Sequence, residues 1–448
     1  MFDDLFKIFK ENGHSLYFVG GCVRDHLLGK IPNDYDFTTD AMPEKIKEIL
    51  EEFGYKHWPL GEKFGTIAAH VNEHDIEITT HRKDMTSGRH PEVQFTDNLK
   101  DDLERRDFTI NSMAMDGSGN IIDPFNGRKD LLKRIIKTTG SPVSRFSEDP
   151  LRMLRAVRFV SQLGFNVNFK TREVIGIFAH AIMSISRERW LSEMNKLLMG
   201  RYVSKSLELL FQTRLLGYIV PEVFTLTIPI SSKIHSKNLW KHTKTVVENS
   251  PYDLDVRWAA LLHDIAKPQT RVEKEEEASI HFFQHEHLGS EMAESICRRL
   301  RMSSGQRKSI CGLIAMHHKI GDIVSRRYDP PVSKSGLRRI ARECVERECS
   351  LDNLINLFAA DCTSKNEAVR ERQQAHVSLL KAAVSVMEEE DARPKLPKGI
   401  GHAIMEKYNL APGPEIKKIK DVLDELLLDG KITSDMDVER IFEEYEKV

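Results

Sequence analysis

Short stretches of strand-like residues open the chain, and helical spacing takes over further on. LYFVGG (residues 16–21) and HDIEITT (residues 74–80) have the length and the β-branched or aromatic content of strands. Between them, PEKIKEILEEFG (residues 43–54) repeats apolar residues three and four apart behind a proline, the signature of an amphipathic helix. Residues 1–125 therefore read as an α/β block. From about residue 126 nearly every segment carries the 3.6-residue period, with Gly and Pro marking the breaks. Breaks at Gly140–Pro142, Pro229–Ser232, Pro330–Pro331 and Arg393–Gly401 suggest boundaries, and no internal repeat is seen. No apolar run approaches the roughly 18 residues that a membrane span needs, so no membrane partner is expected.

A length of 448 residues gives a prior of about three domains and enough chain to bury cores without staples. The 66 Lys+Arg nearly balance the 68 Asp+Glu, which argues against a global nucleic-acid field and leaves room for local ones. Residues 298–342 are basic, from Arg298, Arg299 and Arg301 through Arg307 and Lys308 to Arg342. The balancing acids gather at Glu275–Glu277, Glu388–Asp391 and Glu439–Glu446. With 30% charged and 8% aromatic residues, collagen-like and disordered classes are excluded. Six cysteines lie scattered without a CxxC pair, as in a reduced, cytosolic protein. The opening MFDDLFKIFKENG lacks the apolar core of a secretory signal, so a cytoplasmic location is expected.

Candidate chemistry concentrates in the first third. SLYFVGGCVRDHLLG reads as a strand, a Gly20-Gly21 turn and a helix beginning near Val23, a layout that lets backbone N–H groups approach a phosphate. In NDYDF (residues 33–37), an extended strand would place Asp34 and Asp36 on one face, where two carboxylates suit Mg²⁺. On a neighbouring strand Glu77 would join them, with Ile76 and Ile78 facing the core, and three carboxylates form a ligand set for two metal ions. Beside such a site Arg106 could neutralise phosphate oxygens, while Asp107 and Asn111 could position a sugar hydroxyl. In EDPLRMLRAVR (residues 148–158), Arg152, Arg155 and Arg158 fall at about 300°, 240° and 180° from Asp149 on a helical wheel. Leu151 and Phe159 share that half, so the separation is imperfect. Each feature alone also fits a tight turn or an exposed helix; their combination suggests a nucleotide site.

A second group lies further on: His242, the pair His263-Asp264, His285, His317-His318 and Asp361, all in helical segments. Histidine and aspartate in that order suit Mn²⁺, Ni²⁺, Fe²⁺ or Zn²⁺. Either His317 or His318 could supply the fourth imidazole.

Together, YFVGGCVRD, NDYDF, IEITT, RRDFTIN and EDPLRMLRAVRF make residues 15–165 resemble the class II CCA-adding tRNA nucleotidyltransferase and bacterial poly(A) polymerase family. The resemblance implies an α+β protein: a polymerase-β-type nucleotidyltransferase head followed by helical neck, body and tail. The corresponding boundaries are 1–140, 141–230, 231–365 and 366–448. It further implies that Asp34 and Asp36 bind Mg²⁺, with Glu77 as third catalytic carboxylate. Gly21, Arg24 and Arg106 would contact triphosphate and ribose, Asp149 and Arg152 the Watson–Crick edge of the incoming base, and Arg155 and Arg158 phosphates. The implied partners are CTP, ATP and the tRNA 3′ end, and the implied product is a CCA terminus. Residues 81–95 match the mobile loop of complete CCA enzymes, and residues 185–198 match a neck segment. A poly(A) polymerase, or one half of a split CC-adding and A-adding pair, shares the same head residues and stays open. So does the oligomeric state. The histidine-rich region resembles the HD phosphohydrolase superfamily, either as an active metal-dependent hydrolase or as a metal-free support. Residues 416–432 resemble the family's tail, which grips the tRNA elbow.

Overall fold

The computed structural model describes residues 2–86, 92–228, 238–274, 279–323, 334–364, 366–392, 396–428 and 430–447. The centre of the 81–95 loop and the breaks at Pro229–Ser232 and Pro330–Pro331 lie outside them. The chain divides into two compact units, residues 1–320 with 341–366 and residues 321–340 with 367–448.

The first unit begins with a sheet. Its strands are β1 (Leu16–Val19), β2 (Tyr35–Thr39), β3 (Lys56–Gly61), β4 (Thr66–Val71) and β5 (His74–Thr80), followed after a small β6–β7 hairpin (Arg82–Asp84, Val93–Phe95) by β8 (Ala114–Met115) and β9 (Ile121–Ile122). The seven-stranded order is β3-β4-β5-β2-β1-β8-β9. Every neighbouring pair is antiparallel except β2 and β5, which run parallel. The alternation in HDIEITT explains one face: Ile76 and Ile78 pack with Phe37 and Ile67 against Leu5, Ile8 and Phe9 of the helix Asp3–Glu11. Ile46, Ile49 and Leu50 of the helix Pro43–Glu52 complete this core, in the register the sequence predicts.

Beyond residue 126 helices dominate, as expected, with two exceptions. Ile135–Ile136 pairs in parallel with Asn166–Val167, and Arg271–Lys274 forms a hairpin with Ser279–Phe282. Strands of two to four residues are too short to show a period, so the sequence could not announce them. The helix Arg187–Leu198 is seated by Trp190, fully buried, whose Nε1 donates to the Ile182 carbonyl at 3.1 Å. Its far end is held by the helix Leu254–Leu262. There the buried Arg257 donates to the carbonyls of Leu198, Gly200, Ser250 and Pro251, and Trp258 Nε1 donates to Asn195 Oδ1 at 2.8 Å.

The start of the basic segment is held in ion pairs. Arg298 and Arg307 pair with Glu294 at 2.6 and 3.0 Å, Arg299 with Glu222 at 2.6 Å, and Lys308 with Glu348 at 2.5 Å. Over residues 298–308 the charge run thus takes part in ion pairing within the fold. The cysteines are free thiols. Among the described residues no helix is long and apolar enough to cross a membrane.

In the second unit, the helices Ile400–Tyr408, Pro414–Leu428 and Val438–Tyr445 share a core of Ile404, Leu423, Leu426, Ile441 and Phe442. The acidic end of the chain is thus a docked amphipathic helix, with Ile441 and Phe442 buried between its glutamates.

Because Ile78 is fully buried at the centre of the sheet, Ile78→Ala is expected to destabilise the first unit by about 2–5 kcal/mol. Urea denaturation followed by far-UV circular dichroism would show it as a lowered midpoint.

Candidate active site

β1 ends in a turn at Gly20, whose φ of 76° is one that side chains rarely adopt. A Cβ there would meet Arg106 Nη1 at 2.8 Å and would lie 3.7 Å from Asp36 Oδ2. The positive φ therefore favours glycine, and the Arg106 guanidinium and Asp36 carboxylate come close beside it. The helix Gly21–Leu27 starts directly behind it, two residues earlier than the sequence suggests, because Gly20 itself serves as the cap.

The parallel pairing of β2 and β5 sets Asp36 directly opposite Glu77. Asp34 lies in a bend before β2 and not on the strand, since Pro32 and Asn33 favour a turn there. It still acts on both partners. Burial lifts the Asp36 carboxyl above its ordinary range, Arg106 opposes this, and Asp34 adds to it. Burial and then the charges of Asp36 and Asp34 raise Glu77 in the same sense. Two carboxylates whose ionised forms are disfavoured, with a third beside them, fit a cation-binding site.

A web of arginine pairs surrounds them. Arg105 and Arg106 share the fully buried Asp102, at 2.7 and 3.1 Å. Burial favours the neutral acid of Asp102, but the two guanidiniums outweigh it and hold its carboxyl down at about 2. Arg24 Nη1 donates to Asn111 Oδ1 at 2.8 Å, and Asn111 Nδ2 donates to Asp107 Oδ1 at 3.1 Å. On its other oxygen Asp107 accepts from Arg155 Nε at 2.7 Å. Burial would raise Asp107, yet Arg155 and Asn111 bring it below its usual range. Asp107 thus spends its carboxylate on holding two neighbours, while Asn111 and the arginines face the cleft.

The helix Leu151–Leu163 carries the predicted arginines. Arg158 Nε lies 3.3 Å from Glu193 Oε2, and the guanidinium carbons of Arg158 and Arg24 stand 4.3 and 5.4 Å from the Phe159 ring centre. Phe159, the aromatic residue that breaks the arginine half of the wheel, is a platform for two cations. Asp149 is gripped by Arg189, with Nη2 to Oδ2 at 2.7 Å and Nη1 to Oδ1 at 3.4 Å. Arg152 is held by Glu148 Oε2 at 2.5 Å and by the Arg105 carbonyl at 3.1 Å.

Gly21, Arg24, Asp34, Asp36, Arg106, Asp107, Asn111, Asp149, Arg152, Arg155 and Arg158 all line one cleft of about 830 Å³. Glu77 stands one strand behind Asp36. Arg105, Phe159 and Arg189 also line it, and Glu193 supports it, although the sequence reading assigned them no role. Arg189 and Glu193 are four apart in RERWLSE, so a helical wheel places both on one face; that was the available signal.

The histidines form a second cluster. His242, His263 and Asp264 make one group of candidate metal ligands, and His285, His317 and His318 another. The rings of His263, His285 and His317 donate from Nδ1 to the carbonyls of Ala260, Phe282 and Ile314, at 2.9, 3.0 and 2.6 Å. That fixes the tautomer and leaves Nε2 lone pairs pointing inward. His285 Nε2 meets His318 Nε2 at 2.9 Å, and His263 Nε2 lies 3.3 Å from both His242 Nε2 and Asp264 Oδ2. Asp361 Oδ1 stands 3.0 Å from His242 Nε2. His317 Nε2 and Asp264 Oδ1 are buried without a hydrogen-bond partner. Such orphaned acceptors fit a cation. Both His317 and His318 reach the cluster, and Lys267, unassigned from sequence, pairs with Asp264 at 2.7 Å.

Asp102 anchors both arginines behind the carboxylates, so Asp102→Asn is expected to destabilise the protein by about 3 kcal/mol by leaving them unpaired. With a folded value of about 2 and an unfolded value near the ordinary 3.8, the contribution is complete above about pH 4 and fades as pH falls toward 2. Urea midpoints of wild type and variant, measured between pH 7 and pH 2.5, should therefore converge on acidification.

Three protein families match the chain in succession. The poly A polymerase head domain covers residues 16–137, the probable RNA and SrmB-binding site of polymerase A residues 164–226, and the HD domain residues 234–356. The CCA-adding enzyme of Anoxybacillus flavithermus is 44% identical over 219 residues, which is 48% of this chain and 54% of that protein. The CCA-adding enzyme of Bacillus subtilis is 43% identical over 212 residues, 47% and 52% of the respective chains. The match thus spans about half the length of these curated relatives. Among solved structures, a Bacillus stearothermophilus CCA-adding enzyme in complex with CTP superposes with a TM-score of 0.61 at 26% identity, covering 99% of this chain and 97% of that one. A tRNA nucleotidyltransferase complexed with primer tRNA and an ATP analog, 23% identical, shares the fold with a TM-score of 0.58 over 84% of this chain and 98% of its own. With a poly A polymerase head domain, a polymerase A RNA-binding region and an HD domain matched in succession, and the cleft described above, the chain resembles CCA-adding enzymes in both sequence and fold.

Proposed function

We propose that this protein adds C, C and A from CTP and ATP to the 3′ end of tRNA, with release of pyrophosphate and without a nucleic-acid template. The observation that carries the reading is the charge layout of one cleft. Asp34 and Asp36, with Glu77 paired behind them, line the same cleft as the arginines of the helix Leu151–Leu163. Likeness to a CTP-bound CCA-adding enzyme across nearly the whole chain supports it.

In this reading Asp34, Asp36 and Glu77 hold two Mg²⁺ ions. When bound, these ions supply activation of the attacking 3′-hydroxyl and charge neutralisation on the phosphates. Arg24, Arg106, Arg155 and Arg158 bind triphosphate oxygens as fixed cations, each already oriented by an acid or amide behind it. Asn111, steadied by Asp107, reaches the ribose. Asp149 accepts from the exocyclic amino group of C or A, and Arg152 donates to the adjacent ring nitrogen. Guanine and uracil present a carbonyl where that amino group stands, so the protein itself takes the place of a template.

We further propose that the histidine cluster binds a divalent transition-metal ion and hydrolyses a phosphate ester. His242, His263, Asp264, His285, His317 and Asp361 would hold the ion, which supplies Lewis acidity toward a phosphoryl oxygen. Lys267, kept beside Asp264, is placed to bind a phosphate oxygen. The orphaned His317 and Asp264 atoms support this reading over a metal-free one.

tRNA transcripts ending at the discriminator base, at C and at CC, incubated with Mg²⁺ and CTP, ATP or both, should each be extended to CCA and no further. Asp36→Ala should lower the rate by at least a thousandfold. A stop at CC, addition of A only or a long A ladder would instead assign a CC-adding, an A-adding or a poly(A) enzyme. For the second site, with Mg²⁺ present to fill the carboxylate site, Mn²⁺ or Ni²⁺ should raise the melting temperature of wild type more than that of Asp264→Asn. Equal shifts in both proteins would sink the metal assignment.

A further inference from the structure

The partner of Asp149 carries more than packing. Its carboxylate has about four acceptor directions in all. One is taken by the Leu151 backbone N–H at 3.1 Å, and two by the fork of Arg189 at 2.7 and 3.4 Å. One direction is left, the number an exocyclic amino group needs. Arg189 also stands on a helix separate from the one that follows Asp149. It lies four residues before Glu193 on Arg187–Leu198, and Glu193 faces Arg158 at 3.3 Å and Arg155 at 3.8 Å. A single face of this helix thus delivers a cation to the base-side acid and an anion to the phosphate-side arginines.

Resting on the assignment of Asp149 as base reader, we infer that Arg189 is a positioning and specificity-determining residue: it fixes the rotamer of Asp149, so that only bases with an amino group at that edge are accepted. A free aspartate could rotate away and leave the base edge unread. The two-point guanidinium contact opposes this escape. Lysine would keep the charge but give only a point contact, so it should restore the orientation only in part.

The test compares wild type, Asp149→Ala, Arg189→Ala, Arg189→Lys and the double alanine variant. Primer tRNA lacking CCA is offered CTP or UTP, and primer ending in CC is offered ATP or GTP, with Mg²⁺. Single-turnover rates give kcat/KM for each nucleotide, and filter binding gives tRNA affinity. Arg189→Ala should lower C-over-U and A-over-G discrimination roughly 10- to 100-fold, with tRNA affinity unchanged. The double variant should discriminate no worse than Asp149→Ala alone, and Arg189→Lys should recover part of the loss. If the alanine variant does not fold, Arg189→Gln, which keeps the length of the side chain, replaces it. Loss of discrimination in Asp149→Ala but not in Arg189→Ala overturns the inference while leaving the base reader intact. So does a uniform slowing with all four nucleotides. Full discrimination by Asp149→Ala, or no extension by wild type, overturns the base-reading assignment and the inference with it.

Discussion

Two parallel strands in an otherwise antiparallel sheet set the acidic end of the cleft. Since β2 and β5 run the same way, Asp36 and Glu77 meet at one level, while the isoleucines flanking Glu77 turn into the core. A slip of one residue would carry Glu77 to the apolar face and an isoleucine to the site. The packing of Ile76 and Ile78 against the first helices therefore fixes the chemistry as firmly as it fixes the fold. The raised carboxyls of Asp36 and Glu77 are the electrostatic consequence, and the arginine web is the counterweight.

That web follows one rule. Four guanidiniums that line the cleft are each backed by an acid: Asp102 behind Arg106, Asp107 behind Arg155, Glu193 behind Arg158 and Glu148 behind Arg152. Paired in this way, the cations stay ionised and directed in a partly buried wall, where unpaired ones would repel each other. The supports come from different segments, from the helix Leu99–Glu104 to the helix Arg187–Leu198, so the cleft belongs to head and neck together.

Much of this was legible in the residues, and the gaps have physical reasons. The first strands, the helix Pro43–Glu52 and the core side of β5 follow from periods of 2 and 3.6 that local burial enforces. The cleft residues were legible because their motifs are unusual in combination. Supports such as Glu193 and Arg189 were not, since an acid or arginine on a helix reads the same whether it meets solvent or a partner far away in sequence. Asp34 was assigned to a strand because alternation says nothing about where extension begins; the preceding proline and asparagine decided it. The ion pairs of Arg298, Arg299, Arg307 and Lys308 were not legible either, because their partners Glu222, Glu294 and Glu348 are dispersed along the chain.

The joint at Arg257 bears on how divisible this architecture is. That one side chain covers the carbonyls that end the helix Arg187–Leu198, and Trp258 anchors the same helix through Asn195. Both belong to the helix that runs directly into His263-Asp264. A truncated protein ending before residue 250 would keep every cleft residue yet strip the donors from the neck's last turn, exposing Leu198 and its neighbours to fraying. The cleft half therefore leans on the next helix: a fragment that keeps the neck's last turn capped has to extend through Trp258, which brings the start of the histidine cluster with it.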